Sequence, residues 1–156
     1  MKTKNHPGVY IPPPLIYVGF FFFGVLLQKF FPFDNKWLKT GTASIAGWIL
    51  IALNFILTFP AISRFIVSKN TLITVKPAHS LQTTGIYSFT RNPMYLGLLL
   101  LYGGIAVLKG NWWTIILVPL LTLVVQAYII RKEEQYLQKA FGEEYTAYKK
   151  SVSRWI

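Results

Sequence analysis

Long apolar runs alternate with short polar segments along this chain. The runs cover residues 15–31, 42–59, 94–108 and 112–130. Their polar exceptions are few: Gln28 and Lys29 close the first, Asn54 is the one amide of the second, and Gln126 lies near the end of the fourth. A helix needs roughly 20 residues to cross a ~30 Å hydrocarbon core, with about 17 as the lower limit. The first, second and fourth runs meet that length. The third is short by itself, and crosses only if tilted, buried in protein or extended by the residues around Arg91. The pattern predicts an all-α, polytopic membrane protein with about four transmembrane helices, formed as one domain over residues 1–156. Pro12, Pro13 and Pro14 stiffen the start of the first helix. Gly103 and Gly104 predict close helix packing in the third.

Composition sharpens this picture. Hydrophobic residues make up 53% and charged residues 13%, about half the charged share of a soluble domain. That excludes a disordered chain. The absence of cysteine excludes a disulfide scaffold, a Cys-ligated zinc site and thiol catalysis. The formal charge is +11, from 16 Lys and Arg against five Asp and Glu. Such a charge suggests nucleic acid when it sits on a soluble domain, but here it flanks apolar spans. With four crossings, only Lys29, Lys36, Lys39 and Lys109 fall on one side; every other Lys and Arg falls on the opposite side. The positive-inside rule then places both termini and the loop between the second and third runs in the cytoplasm, in the cell (inner) membrane of the host. Basic segments beside anionic headgroups account for the charge without nucleic acid. Trp37, Trp48, Trp112, Trp113 and Tyr128 lie near the predicted span ends, as interfacial aromatics do. The first run lacks a small-x-small cleavage site and is expected to be retained as a helix. The Phe20–Phe23 run reads as lipid-facing bulk.

Residues able to carry chemistry cluster in two places. Residues 76–95 read K-P-A-H-S-L-Q-T-T-G-I-Y-S-F-T-R-N-P-M-Y. Asn92 and Pro93 predict a helix start, with Asn92 as N-cap and Pro93 in the first helical position. Tyr95 then falls in the first turn. Amides at such a terminus favour an anionic group, and Arg91 beside them can pair with a carboxylate. Gly85 permits a turn that a Cβ would hinder. The second cluster, Arg131-Lys132-Glu133-Glu134, lies past the fourth run. The helix is expected to continue to Phe141 and stop at Gly142, with Ile130, Glu134, Leu137 and Phe141 on one stripe and Glu133 about 100° away. Two of the chain's five acids thus sit in basic surroundings, where they can meet the cation of a ligand. Each feature also has a bland reading: His79 as an interfacial histidine, Arg91 as a phosphate anchor, the two acids as partners of Lys132 and Lys139. Tyr145, Tyr148, Lys149 and Lys150 predict an amphipathic tail on the membrane surface.

In combination these motifs are more specific. H-S-L-Q-T-T-G-I-Y-x-x-x-R-N-P-x-Y-L-G, a helical hairpin, and then E-E-x-x-L-x-x-x-F-G-E-E-Y-x-x-Y resembles the membrane methyltransferases of the isoprenylcysteine carboxyl methyltransferase and phospholipid methyltransferase group. The resemblance covers about residues 76–154. It implies S-adenosylmethionine bound on the cytoplasmic side, in a pocket formed by the loop before the third helix and the extension of the fourth. On the family's pattern the cofactor-binding residues are His79, Ser80, Leu81, Gln82, Tyr87, Arg91, Asn92, Pro93, Tyr95 and Glu133. Arg91, Tyr95 and Glu134 are the residues placed at the chemistry, with His79, Tyr95 and Glu134 as candidate bases. No metal is implied. Three positions differ from the pattern: Asn92 stands where His is common, Leu72 where a glutamine is expected, and Ile129 where the carboxyl methyltransferases carry a substrate-binding Arg.

The expected activity is therefore methyl transfer to a lipid-like or small membrane-accessible acceptor, with the bilayer as the other partner and no nucleic acid. A phospholipid N-methyltransferase of the phosphatidylethanolamine type is the alternative in the same class. A non-enzymatic basic protein that binds anionic lipid or a partner is the alternative outside it. The acceptor, whether carboxylate, amine or thiol, and the oligomeric state are left open.

Overall fold

The computed structural model describes residues 6–70 and 77–156. Lys2, Lys4, Leu72 and Lys76 lie outside the described residues. Within them the chain is all-helical: α1 (Pro13–Phe30), α2 (Gly41–Val67), α3 (Pro93–Leu108), α4 (Trp112–Ile116), α5 (Val118–Val124), a π-helical turn (Val125–Ile130) and α6 (Arg131–Ser151), with short 3-10 turns at Lys36–Lys39 and Gly85–Ser88.

Two helices, α1 with 18 residues and α2 with 27, are long and apolar enough to cross a membrane. They are not core helices of a soluble fold, because their large side chains stay exposed: Phe22 is 63%, Trp48 63% and Ile56 62% accessible. An apolar surface of this extent is stable against lipid, not water. The Phe20–Phe23 run is divided. Phe22 and Phe23 face outward, whereas Phe21 packs edge-on against Tyr102 of α3.

Helix α3, with 16 residues, spans about 24 Å at 1.5 Å per residue, short of the hydrocarbon core. It is instead the helix most enclosed by protein. Its seam with α2 is built from glycines. A Cβ on Gly104 would lie 2.8 Å from the Gly47 carbonyl oxygen, and one on Gly47 would lie 2.9 Å from Leu108. A Cβ on Gly97 would collide with Thr58. Gly104 thus packs as expected, while Gly103 makes only ordinary contact. Asn54, the one amide of the second run, is buried against α3.

Three boundaries differ from expectation. Helix α2 does not stop before Pro60 but runs on to Val67. The proline costs one backbone donor, a loss tolerated in apolar helices where packing supports the turn; here Ala61 is fully buried and Phe65 stacks on Tyr87. The expected fourth helix is not one regular α-helix. Pro119, near the start of α5, interrupts the α pattern, and residues 125–130 form a wide π turn. Gly142, with φ 54° and ψ −120°, breaks α6, but the chain resumes helical geometry and continues to Ser151. In that last piece Lys149 and Lys150 are exposed, but the tyrosines do not face outward as an amphipathic surface tail would have them. Tyr145 and Tyr148 are buried, together with Ala61 and Tyr87, because the kink at Gly142 turns them into the body of the protein.

Candidate active site

The start of α1, the end of α2, the start of α3 and one face of α6 meet around a common cavity. The cavity has a volume of about 350 Å³, within the range of small-ligand sites.

The loop leading into it is held from α2. Ser68, Lys69 and Asn70 close that helix with a left-handed residue, Lys69 at φ 54°, and the Asn70 amide bonds back to the Phe65 carbonyl at 2.9 Å. The turn aims the Asn70 side chain at the loop. Its Oδ1 accepts from the amides of His79 (2.7 Å) and Ser80 (3.1 Å), and its Nδ2 donates to the Ser80 carbonyl and hydroxyl. Gln82 donates to the same hydroxyl at 2.9 Å. From α6, the Tyr136 hydroxyl accepts from the Ala78 amide at 2.9 Å.

The next segment turns at Gly85, whose φ of +65° and closeness to the Arg64 guanidinium both favour a residue without Cβ. Tyr87 is then buried against Phe65, and its carbonyl accepts from the Tyr148 hydroxyl at 2.6 Å. Asn92 occupies the N-cap position and Pro93 opens α3, but the Asn92 side chain makes no cap bond. It donates instead to the Arg154 carbonyl at 2.9 Å. The cap position was legible; the tertiary tether that takes its side chain was not.

Glu133 and Glu134 follow each other in sequence and differ completely in surroundings. Glu134 is saturated: Oε1 accepts from Arg91 Nη1 at 2.8 Å and Arg154 Nε at 2.9 Å, and Oε2 from Arg154 Nη2 at 2.7 Å. Burial raises its pKa, but the Arg154 hydrogen bonds and the charges of Arg91, Arg154 and Lys149 outweigh that and hold the carboxyl below its ordinary range. A carboxylate so engaged is a poor base. Glu133 accepts from the Tyr95 hydroxyl at 2.7 Å and has no ion pair among the described residues. Burial pushes its carboxyl up to about 7; the Tyr95 bond opposes this and the neighbouring Glu134 charge adds to it. Arg91 bonds through Nη1 to Glu134 and to the Tyr145 hydroxyl, while its buried Nε has no partner among the described residues.

Ser80, Leu81, Gln82, Tyr87, Arg91, Asn92, Pro93, Tyr95, Glu133 and Glu134 all line the cavity. His79 does not: its side chain is exposed, and its amide serves the Asn70 bond. Sequence reasoning missed Asn70, Tyr136, Tyr145 and Arg154. No local signal marks Arg154, which lies 20 residues from Glu134 in sequence.

The pattern of phospholipid methyltransferases matches residues 42–144. Over 78 residues the chain is 36% identical to the protein-S-isoprenylcysteine O-methyltransferase of Schizosaccharomyces pombe, covering 50% of this chain and 33% of that protein. Over 86 residues it is 35% identical to the enzyme of the same name from Saccharomyces cerevisiae, covering 47% of this chain and 31% of that protein. It is also 40% identical over 63 residues to an uncharacterized protein of Haemophilus influenzae, all of whose length is covered. The chain spans about a third of the length of the two yeast enzymes. No solved structure matches it. Since the family pattern takes in more than half of the chain, including the α2–α3 seam and both glutamates of the cavity, the chain belongs to the phospholipid methyltransferase family.

Proposed function

We propose that this chain is an integral-membrane methyltransferase that uses S-adenosylmethionine, releases S-adenosylhomocysteine, and methylates a lipid-like or small membrane-accessible acceptor. On this reading the apolar segments cross the bilayer four times, and the cavity and both termini face the cytoplasm. The observation that carries it is an acid and a guanidinium in the cavity lining that both keep unused bonding capacity. Among the described residues Glu133 has no cationic partner, and Arg91 keeps a buried Nε without one. A zwitterionic amino-acid end fits such a pair, with its ammonium on Glu133 and its carboxylate on Arg91. The start of α3 adds amides that the Asn92 side chain leaves uncapped.

When bound, S-adenosylmethionine supplies a methyl group on a sulfonium, open to in-line displacement. The work of this chain is alignment and exclusion of water. Leu81, Met94, Leu98 and Leu137 give the cavity apolar walls. Tyr95, bonded to Glu133, fixes the carboxylate that receives the ammonium. An acceptor losing a proton would find Tyr95 and Glu133 free of guanidinium partners, unlike Glu134.

Calorimetric titration with S-adenosylhomocysteine in detergent tests the reading. Wild type is expected to bind one-to-one. Glu133→Gln is expected to weaken binding ten- to hundredfold, the worth of one charge-assisted hydrogen bond, with an unchanged unfolding temperature. A folded wild type that does not bind, even with lipid restored, rejects it. A phospholipid amine as acceptor is the second reading. One observation favours it: Ile129, at the position of the substrate Arg in the carboxyl methyltransferases, is fully buried in the apolar core, so no cation stands there for an acceptor carboxylate.

A further inference from the structure

Arg154 lies outside the residues that line the cavity, yet it controls what one of them can do. Glu134 offers two oxygens, and an arginine facing a carboxylate prefers to take both through a fork. Arg154 takes that fork, with Nε on Oε1 at 2.9 Å and Nη2 on Oε2 at 2.7 Å. Arg91 is left with a single-point contact through Nη1 at 2.8 Å, and its Nε stays unpartnered. We propose that Arg154 is a positioning residue for the donor site: by occupying Glu134 bidentately it limits Arg91 to one contact with that carboxylate, and so keeps the Nε edge of Arg91 free for the anionic end of the donor.

The segment 152–156 that carries Arg154 is anchored without help from the guanidinium. The Ser153 carbonyl accepts from the Arg91 amide at 3.0 Å. The Arg154 carbonyl accepts from Thr90 Oγ1 and Asn92 Nδ2. The Trp155 indole donates to Gln126 at 3.2 Å. These bonds tie the segment to the loop before α3 and to the π turn. Removing only the Arg154 side-chain head therefore leaves the segment docked and frees Glu134 to recruit Arg91.

This inference rests on the methyltransferase reading, and the experiment separates the two. S-Adenosylhomocysteine affinity, the KM for donor and kcat are measured for wild type, Arg154→Gln, Arg154→Lys and the double variant Glu134→Gln/Arg154→Gln, with unfolding temperature as a control. Arg154→Gln is expected to lose about tenfold or more in donor affinity, as a rise in donor KM with little change in kcat. Arg154→Lys keeps the charge but not the fork, and is expected to fall between. The double variant is expected to recover most of the affinity, because a neutral amide no longer draws Arg91 away. A merely structural role gives the opposite signature, with additive losses and a lowered unfolding temperature. Unchanged affinity in a folded Arg154→Gln, or a double variant weaker than the single one, overturns the proposal. Should Arg154→Gln not fold, wild-type affinity in Arg154→Lys overturns it equally. A wild type that does not bind overturns the methyltransferase reading, and this inference with it.

Discussion

The two ends of this molecule are held together by different physics. Along the α2–α3 seam the partners are Gly47, Gly97 and Gly104 against backbone and short side chains. Around the cavity they are Asn70, Arg91, Glu134, Tyr136, Asn92 and Arg154, drawn from four segments and joined by hydrogen bonds. Lipid tails are as apolar as leucine, so helices in a bilayer gain from close packing rather than from the hydrophobic effect. At the cavity end water competes, and geometry is set by polar groups that satisfy one another in partial burial. The seam therefore decides whether the protein forms, and the polar network decides whether it binds.

Three predictions test that division, beginning with the largest effect. Gly104→Leu places a branched side chain where even a Cβ would lie 2.8 Å from the Gly47 oxygen. Overpacking of this kind costs about 3 kcal/mol or more. The expected outcome is loss of the monodisperse, heat-cooperative species in detergent, read by size exclusion and thermal unfolding. Survival of a folded variant with normal melting would show that the seam is not what holds the bundle.

Asn70→Ala removes the acceptor for two loop amides and the donor for Ser80 at once. Donor affinity is expected to fall about tenfold by calorimetry, since the loop must be ordered anew on binding, while the unfolding temperature moves by only a few degrees. A large drop in unfolding temperature would place Asn70 with the seam rather than with the site.

The smallest effect is a proton. Glu133 is held up near about 7 by burial, so at that pH it is about half protonated, and an ammonium partner requires the carboxylate. Binding is expected to weaken as pH falls below 7 and to release about half a proton at pH 7. Titrations in buffers of different ionisation enthalpy measure it, and Glu133→Gln abolishes it. For the unliganded protein the sign is opposite. A raised carboxyl pKa means that the folded state holds the proton more tightly, so this contribution to stability is present at low pH and is lost as pH rises through about 7. Heat effects that do not vary with buffer would remove Glu133 as the ammonium site.

Much of the architecture was legible because length and hydropathy are local properties. The starts of α1, α2 and α3 fall within two residues of the apolar runs, and Asn92-Pro93 marks the α3 start through the fixed φ of proline. The extension of α2 past Pro60 was not legible, since the packing of Ala61 and Phe65 that supports it comes from residues far along the chain. The π turn at 125–130 was equally hidden. A wide turn leaves no periodic signature in a run that is apolar on every side.

By itself, then, the sequence determined that apolar helices dominate this protein and that its few acids stand beside a basic, tyrosine-rich segment; that Arg91, Tyr95 and Glu133 belong near one another followed only from its resemblance to a known family. Composition and hydropathy carry the first two without knowledge of the fold. Only the tertiary structure decided that Glu134 is neutralised by two arginines while Glu133 is left open, that His79 points away, and that Arg154 reaches back to the cavity. Those outcomes depend on which oxygen lies within three ångströms of which nitrogen. No pattern along the chain encodes that for residues brought together by a kink at Gly142 and a turn at Asn70.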